Sequence, residues 1–196
     1  MMKRSAFVTI VVTLGIMAGC AGNRDLIKRM STSTRQDMFQ EVIEAGAPAP
    51  GYADLRIYSS LKTHKPGFYS EKDIHGKPDY KLLLNIDGQA VELLGATRTE
   101  NSEARSLRDP EAGEGIRYQF TKKLRLKAGT HKVVIAIPAD DLAVGREITL
   151  TEGSNNLTLE PIYGGTSGKQ CPGFYGISSF KEGIKWFRLV LNGKTL

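Results

Sequence analysis

"KLRLKAGTHKVVIAI", residues 123–137, carries the pattern of a strand on each side of a glycine. Leu124 and Leu126 alternate with Lys123, Arg125 and Lys127. A glycine follows at position 129, and then Val133 and Ile135 resume the alternation. A period of two places one set of side chains on each face of a strand, apolar inward and charged outward. "REITLTEGSNNLTLE", residues 146–160, repeats the pattern. Leu124, Leu126, Gly129, Val133 and Ile135 match Ile148, Leu150, Gly153, Leu157 and Leu159, each at an offset of 24. Each copy reads as a hairpin turning on its glycine, the residue that takes positive φ without strain. The two copies would bury each other's apolar face as layers of a sandwich.

The flanking sequence has the same character. "YKLLLNIDGQAVELL", 80–94, places Asp87-Gly88 between apolar runs, the signature of a type I′ hairpin. "GIRYQFTKKLRLK", 115–127, directs Tyr118, Phe120, Leu124 and Leu126 to one face and Arg117, Lys123, Arg125 and Lys127 to the other. "DLRIYSSL", 54–61, alternates with Leu55, Ile57 and Ser59 on one side. "IKWFRLVL", 184–191, is apolar on both faces and reads as a strand covered on both sides. Asp140-Asp141 after Pro138 reads as a polar turn. Many short strands with turn signals between them predict an all-β fold, an antiparallel β-sandwich, with little helix past residue 52.

Two polar excursions interrupt the strands. Residues 96–115 read as a long mobile insertion, and 64–79 as an irregular segment carrying Pro66, Gly67, Gly76 and Pro78. Before the strands, Ser33 and Gln36 suit a capping box. Met38, Phe39, Val42 and Ile43 then follow at helical spacing up to Gly46, and "APAPG", 47–51, is a stiff break. The expectation is a short amphipathic helix docked on the domain, then a linker.

"LLLNIDGQAVEL", "LRLKAGTHKVVIAIP" and "ITLTEGSNNLTLEP" together resemble the PEGA domain across about 80–161. The insertion at 96–115 and "ADDLAVG" after the second strand depart from that pattern. The resemblance, shared with pre-albumin-like sandwiches, implies a small surface-exposed, non-catalytic module of cell-envelope proteins. It supplies no ligand and no set of active residues.

The N-terminus has the layout of an export signal: Lys3 and Arg4, an apolar run from Ala6 to Met17, then small residues. About a dozen apolar residues are too few for a membrane span, which needs ~20. Met17-Ala18-Gly19-Cys20 resembles the bacterial lipobox. That resemblance implies cleavage before Cys20 and acylation of its thiol and amino group, so that membrane lipid becomes the first partner. Ala21 resembles the pattern of outer-membrane retention. The organisation expected is a signal peptide over 1–19, an anchor with helix and linker over 20–51, and a β-sandwich over 52–196 with a PEGA-like core.

Chemistry is sparse. Loss of Lys3 and Arg4 with the leader lowers the formal net charge of +6 by two, leaving a mildly basic chain. "GGTSGKQ", 164–170, lacks the first glycine and the Ser/Thr of a phosphate loop. No Gly-x-Ser-x-Gly elbow and no covalent haem motif is present. His64, His75 and His131 are scattered, without the spacing of metal ligands, so no metal and no cofactor are expected. His131, just after the glycine, suits a turn-stabilising role. With Cys20 lipidated, Cys171 is left as a possible free thiol. The basic face formed by Arg117, Lys123, Arg125 and Lys127 is the candidate ligand-binding surface, for an envelope protein or an anionic polysaccharide. Export disfavours nucleic acid. The expected function is a non-enzymatic binding or scaffolding module tethered to the envelope. The rival is a glycan-active surface enzyme or carbohydrate-binding accessory domain, with Trp186 as a stacking platform.

Overall fold

Helix α1 (Ala21–Met30) precedes the strands β1 (Phe39–Glu41), β2 (Tyr52–Thr63), β3 (Lys81–Ile86), β4 (Gln89–Leu94), β5 (Ala96–Ser102) and β6 (Gly113–Lys127). They are followed by β7 (Gly129–Ile137), β8 (Leu142–Leu150), β9 (Gly153–Tyr163), β10 (Ile184–Leu191) and β11 (Lys194–Thr195). The computed structural model describes residues 21–43, 46–67, 72–106, 108–165 and 178–196. The proposed leader, Cys20 and Cys171 lie outside the described residues. No described helix is long and apolar enough to cross a membrane.

Two sheets form the sandwich. One has seven strands in the order β1-β6-β2-β9-β10-β11, with β5 also paired to β6. The other has four, in the order β4-β3-β7-β8. Pairing is antiparallel except between β2 and β9. The inward residues expected from alternation form the shared core: Leu55, Ile57, Phe120, Leu124, Val133, Ile135 and Leu157 are fully buried. Each such side chain contributes ~1.5–3 kcal/mol relative to its exposed state. The fold is thus an all-β sandwich of two mainly antiparallel sheets with one short helix.

Asp87-Gly88 forms the expected two-residue turn, with both residues at positive φ and Ile86 opposite Gln89. The 24-residue repeat forms something different from two hairpins. β6 and β7 lie in different sheets, as do β8 and β9. Gly129 (φ 132°) and Gly153 (φ 88°) therefore mark corners where the chain crosses from one layer to the other. The hairpin actually formed is β7–β8, in register from Gly129 opposite Leu150 to Ile137 opposite Leu142. It turns through Pro138–Asp140 and Asp141 at φ 52°. Alternation fixes which face is inward, but a corner and a hairpin carry the same alternation and the same glycine.

Three other expectations need correction. The helix lies at 21–30, not after Ser33, and Leu26 and Ile27 seat it on Leu83, Ala136 and Ala143 of the four-stranded sheet. The segment with Ser33 and Met38 runs along the β3–β4 hairpin instead. Its backbone donors are taken by the Gly88 carbonyl and the Gln89 side chain, and Ile43 is exposed. The 96–115 segment is ordered at both ends, because β5 pairs with the first half of β6. Among the described residues, β10 is covered on one face only. A register shift between Ile184 and Trp186 leaves Trp186 part-exposed while Phe187, Leu189 and Leu191 point inward.

Candidate functional site

The β2–β6 register puts Tyr52, Asp54, Arg56, Tyr58, Ser60 and Lys62 opposite Lys127, Arg125, Lys123, Thr121, Gln119 and Arg117. Arg117, Lys123, Arg125 and Lys127 therefore share the outer face of the seven-stranded sheet, as the alternation requires. Their surroundings divide them. Asp54 is engaged at once by Arg125 Nε at 2.7 Å and Lys123 Nζ at 3.0 Å. The Arg125 hydrogen bond, opposed by burial and helped by Lys123, holds the Asp54 carboxyl at about 2. Two cations on one carboxylate leave a positive balance. Lys127 and Arg56 are exposed and have no ion-pair partner among the described residues. Beside them lies a recess of about 250 Å³ bounded by Asp37, Gln40, Tyr52, Arg125 and Lys127. Tyr52 and Tyr58, 39% and 40% exposed, present their rings on the same face.

Arg117 belongs to a different assembly. It is 6% exposed, and its guanidinium donates to Glu100 at 2.6 Å and Glu111 at 2.8 Å. The hydrogen bond from Arg117, with another from the Ser102 hydroxyl, lowers the Glu100 carboxyl to about 2 against the opposing effect of burial. Tyr163 donates its hydroxyl hydrogen to Glu111 at 2.7 Å and accepts the Lys62 amide hydrogen at 2.9 Å. Burial and that hydrogen bond to Glu111 raise the Tyr163 hydroxyl well above its ordinary range. The Lys62 ammonium, fully buried, donates to the Glu111 and Gly113 carbonyls and to the Ser102 hydroxyl, with the Phe180 ring 4.8 Å away. Burial lowers its pKa, opposed chiefly by Glu100. These groups satisfy one another, so Arg117 serves the fold and not a ligand surface.

The structure also gathers what spacing left scattered. β2 ends at Thr63, and His64, the next residue, lies beside Asp73 and His75. His64 Nε2 lies 2.7 Å from Asp73 Oδ2, and His75 Nδ1 lies 2.7 Å from Asp73 Oδ1. The two imidazole rings are 4.6 Å apart. The other ring nitrogen of His75 reaches Asp140 Oδ1 at 3.1 Å. Asp140, its side chain only 7% exposed, also accepts from the Tyr80 hydroxyl at 2.6 Å. Hydrogen bonding to Asp140, opposed by burial and reinforced by Asp73, raises the His75 pKa. Burial pushes Asp73 up, but bonds from His64 and His75 outweigh it and hold that carboxyl well down. His64 Nδ1 is buried with no hydrogen-bond partner among the described residues.

His131 lies elsewhere. Its ring nitrogens contact Asp87 Oδ2 at 2.7 Å and the Lys127 carbonyl at 2.8 Å, pinning the β6–β7 corner to the β3–β4 turn. That is the turn-stabilising role read from its position. The Trp186 ring, 39% exposed, has Arg146 over it at 5.6 Å. A second recess, of about 600 Å³, lies under the last turn of α1 between Met30, Asn85, Lys132 and Val134. Comparison with protein-family models, with characterised proteins and with solved structures gives no match.

Sequence reasoning names Lys123, Arg125 and Lys127 as candidates for the basic face and does not name Arg56, Tyr52, Tyr58 or the His64–Asp73–His75 group. The tyrosines and Arg56 alternate along β2 and were there to be read once β2 was paired with β6. The histidine group depends on the path of the 64–79 excursion, for which no local pattern exists.

Proposed function

We propose that this chain is an acylated envelope lipoprotein. Its sandwich is a non-enzymatic module that binds an anionic envelope polymer through the outer face of the seven-stranded sheet. The observation that carries this reading is the placing of Arg56, Lys123 and Lys127 with Tyr52 and Tyr58 on one exposed face, beside the Arg125–Lys127 recess. Cations at strand spacing meet charges along a polymer, and part-exposed tyrosines offer apolar surface to sugar rings. Because the face is built on strands, it is held in shape before the ligand arrives, which lowers the ordering cost of binding. The PEGA-like sequence pattern fits a non-catalytic module of this kind.

The anchor is a separate part of the proposal. Helix α1 begins at Ala21, directly after the proposed lipidated Cys20, and is packed on the four-stranded sheet through Leu26 and Ile27. Arg24 Nε also reaches Asp141 at 3.2 Å. A lipid at Cys20 would then hold the sandwich close to the membrane, with little slack. Two or more acyl chains give stable attachment where one does not.

Affinity for an immobilised acidic polysaccharide, titrated with salt, tests the binding face. Arg56→Glu/Lys127→Glu reverses two exposed cations that hold no ion-pair partner among the described residues. It should abolish retention at low salt with the fold intact by circular dichroism. Unchanged retention would remove the proposed face. Incorporation of labelled fatty acid, lost in Cys20→Ser, tests the anchor independently.

A further inference from the structure

We propose that His64, Asp73 and His75 form a binding site for a first-row divalent metal ion, with zinc the best match to the donor set. Three features of the geometry support this. One donor atom from each residue lies within 4.8 Å of the others, and a tetrahedral ion at ~2.0–2.2 Å from each would draw them in to ~3.3–3.6 Å, a small side-chain movement. Two imidazoles and one carboxylate suit zinc and its neighbours and not calcium or magnesium, which prefer all-oxygen shells.

The second feature is the surroundings of His75. Both its ring nitrogens face carboxylate oxygens, Asp73 at 2.7 Å and Asp140 at 3.1 Å. A neutral imidazole has one N–H, so it can donate to only one of them. The other nitrogen then needs a cation between it and its carboxylate, either a proton or a metal ion. With the hydrogen on Nε2 donated to Asp140, the Nδ1 lone pair is turned toward Asp73, whose other oxygen meets His64 Nε2. This is the carboxylate–histidine–metal arrangement, in which an outer carboxylate sets the ring's tautomer and orientation.

The third feature is the support behind Asp140. Its second oxygen accepts from Tyr80, which is fully buried, and Gly183 packs so closely that an added Cβ would stand 2.6 Å from Asp140 Oδ1. The orienting carboxylate is therefore fixed by the sandwich, while the ligands come from the excursion. The side chains of His64, Asp73 and His75 are 31%, 21% and 16% exposed, so an ion can enter and a water can complete the shell. Binding would fasten Asp73 and His75 to His64 at the end of β2.

The test uses the full-length chain in detergent, stripped with chelator and titrated with zinc by calorimetry. The result expected is one high-affinity site, lost in His64→Gln/His75→Gln and weakened by ~10–100-fold in Asp140→Asn. His131→Gln, outside the site, should bind as the parent does. No binding by the parent, or equal binding by the double variant, overturns the proposal. Should the double variant fail to fold, pulsed electron resonance of the copper-loaded parent counts coordinating imidazoles. Two support the site, and fewer overturn it.

Discussion

Replacing Glu100 with glutamine keeps the side chain's size and removes the charge that Arg117 grips. The magnitude follows from the depressed carboxyl. Arg117 hydrogen bonding first, then the Ser102 hydroxyl, hold it at about 2 against an ordinary 4.5, despite burial. At ~1.4 kcal/mol per unit, the link contributes about 3 kcal/mol at neutral pH as an upper bound. Glu111 stays 2.8 Å from Arg117, so the charge left behind is not orphaned, and about 2 kcal/mol is the loss expected. The sign is fixed by the direction of the shift. A carboxyl lowered on folding stabilises the native state fully above its unfolded value, and that stability drains away as the pH falls toward 2. Urea unfolding at neutral pH should show a midpoint lower by ~1 M in Glu100→Gln, for a slope of ~2 kcal/mol/M. The two proteins should converge as the pH is lowered. A difference that is absent at neutral pH, or that stays constant down to acid pH, would refute the assignment of Glu100 to a native ion pair.

Gly115→Ala would place a Cβ 2.6 Å from the Thr63 carbonyl and 2.8 Å from the Phe180 ring, and overpacking of this kind costs ~1–3 kcal/mol. Gly46→Ala meets nothing within 4 Å and should shift the urea midpoint little, so equal effects at the two sites would contradict the packing described around Gly115. Ile27→Asp puts a charge where α1 packs on Leu83, Ala136 and Ala143. Limited proteolysis should then remove the helix and leave the sandwich resistant; unchanged protection of α1 would mean that this contact does not hold it.

What could be read from the sequence was what a period of two encodes. Leu55, Ile57, Leu124, Leu126, Val133 and Ile135 were placed inward by alternation alone and are buried. Asp87-Gly88 specified its own turn because a two-residue loop needs positive φ at both positions. Pairing partners were not encoded so locally. Gly129 suits a hairpin and an interlayer corner equally, and the choice depends on whether β7 finds β6 or β8. The N-terminal helix was misplaced for a related reason. Phe39 and Met38 sit at helical spacing from Val42 and Ile43, yet Gln89 captures the Met38 and Phe39 amides and draws the segment out into β1. The basic face was visible as a stripe, but only the register shows that Asp54 and Glu100 partner three of its cations.

The two excursions from the sandwich share one mode of attachment. Lys62 and His64 stand near the end of β2, two residues apart. The first donates to the Glu111 and Gly113 carbonyls where the chain enters β6, and the second reaches Asp73. Tyr118, from β6, adds its hydroxyl to the Lys77 carbonyl, and Lys65 reaches across to Glu114. Ionised and polar groups make most of the described contacts of both segments, with Ile74 packed against the core, whereas apolar burial holds the layers. Regions with few buried apolar contacts open at free energies below that of global unfolding. The excursions should therefore respond to ions and pH while the strands remain fixed. This separates the two proposals physically. The basic face lies on strands held by the core and meets its ligand already formed. The proposed ion site at His64, Asp73 and His75 is held by ionised and polar groups, so loading it would leave the strand-borne surface beside Arg56 and Lys127 unchanged.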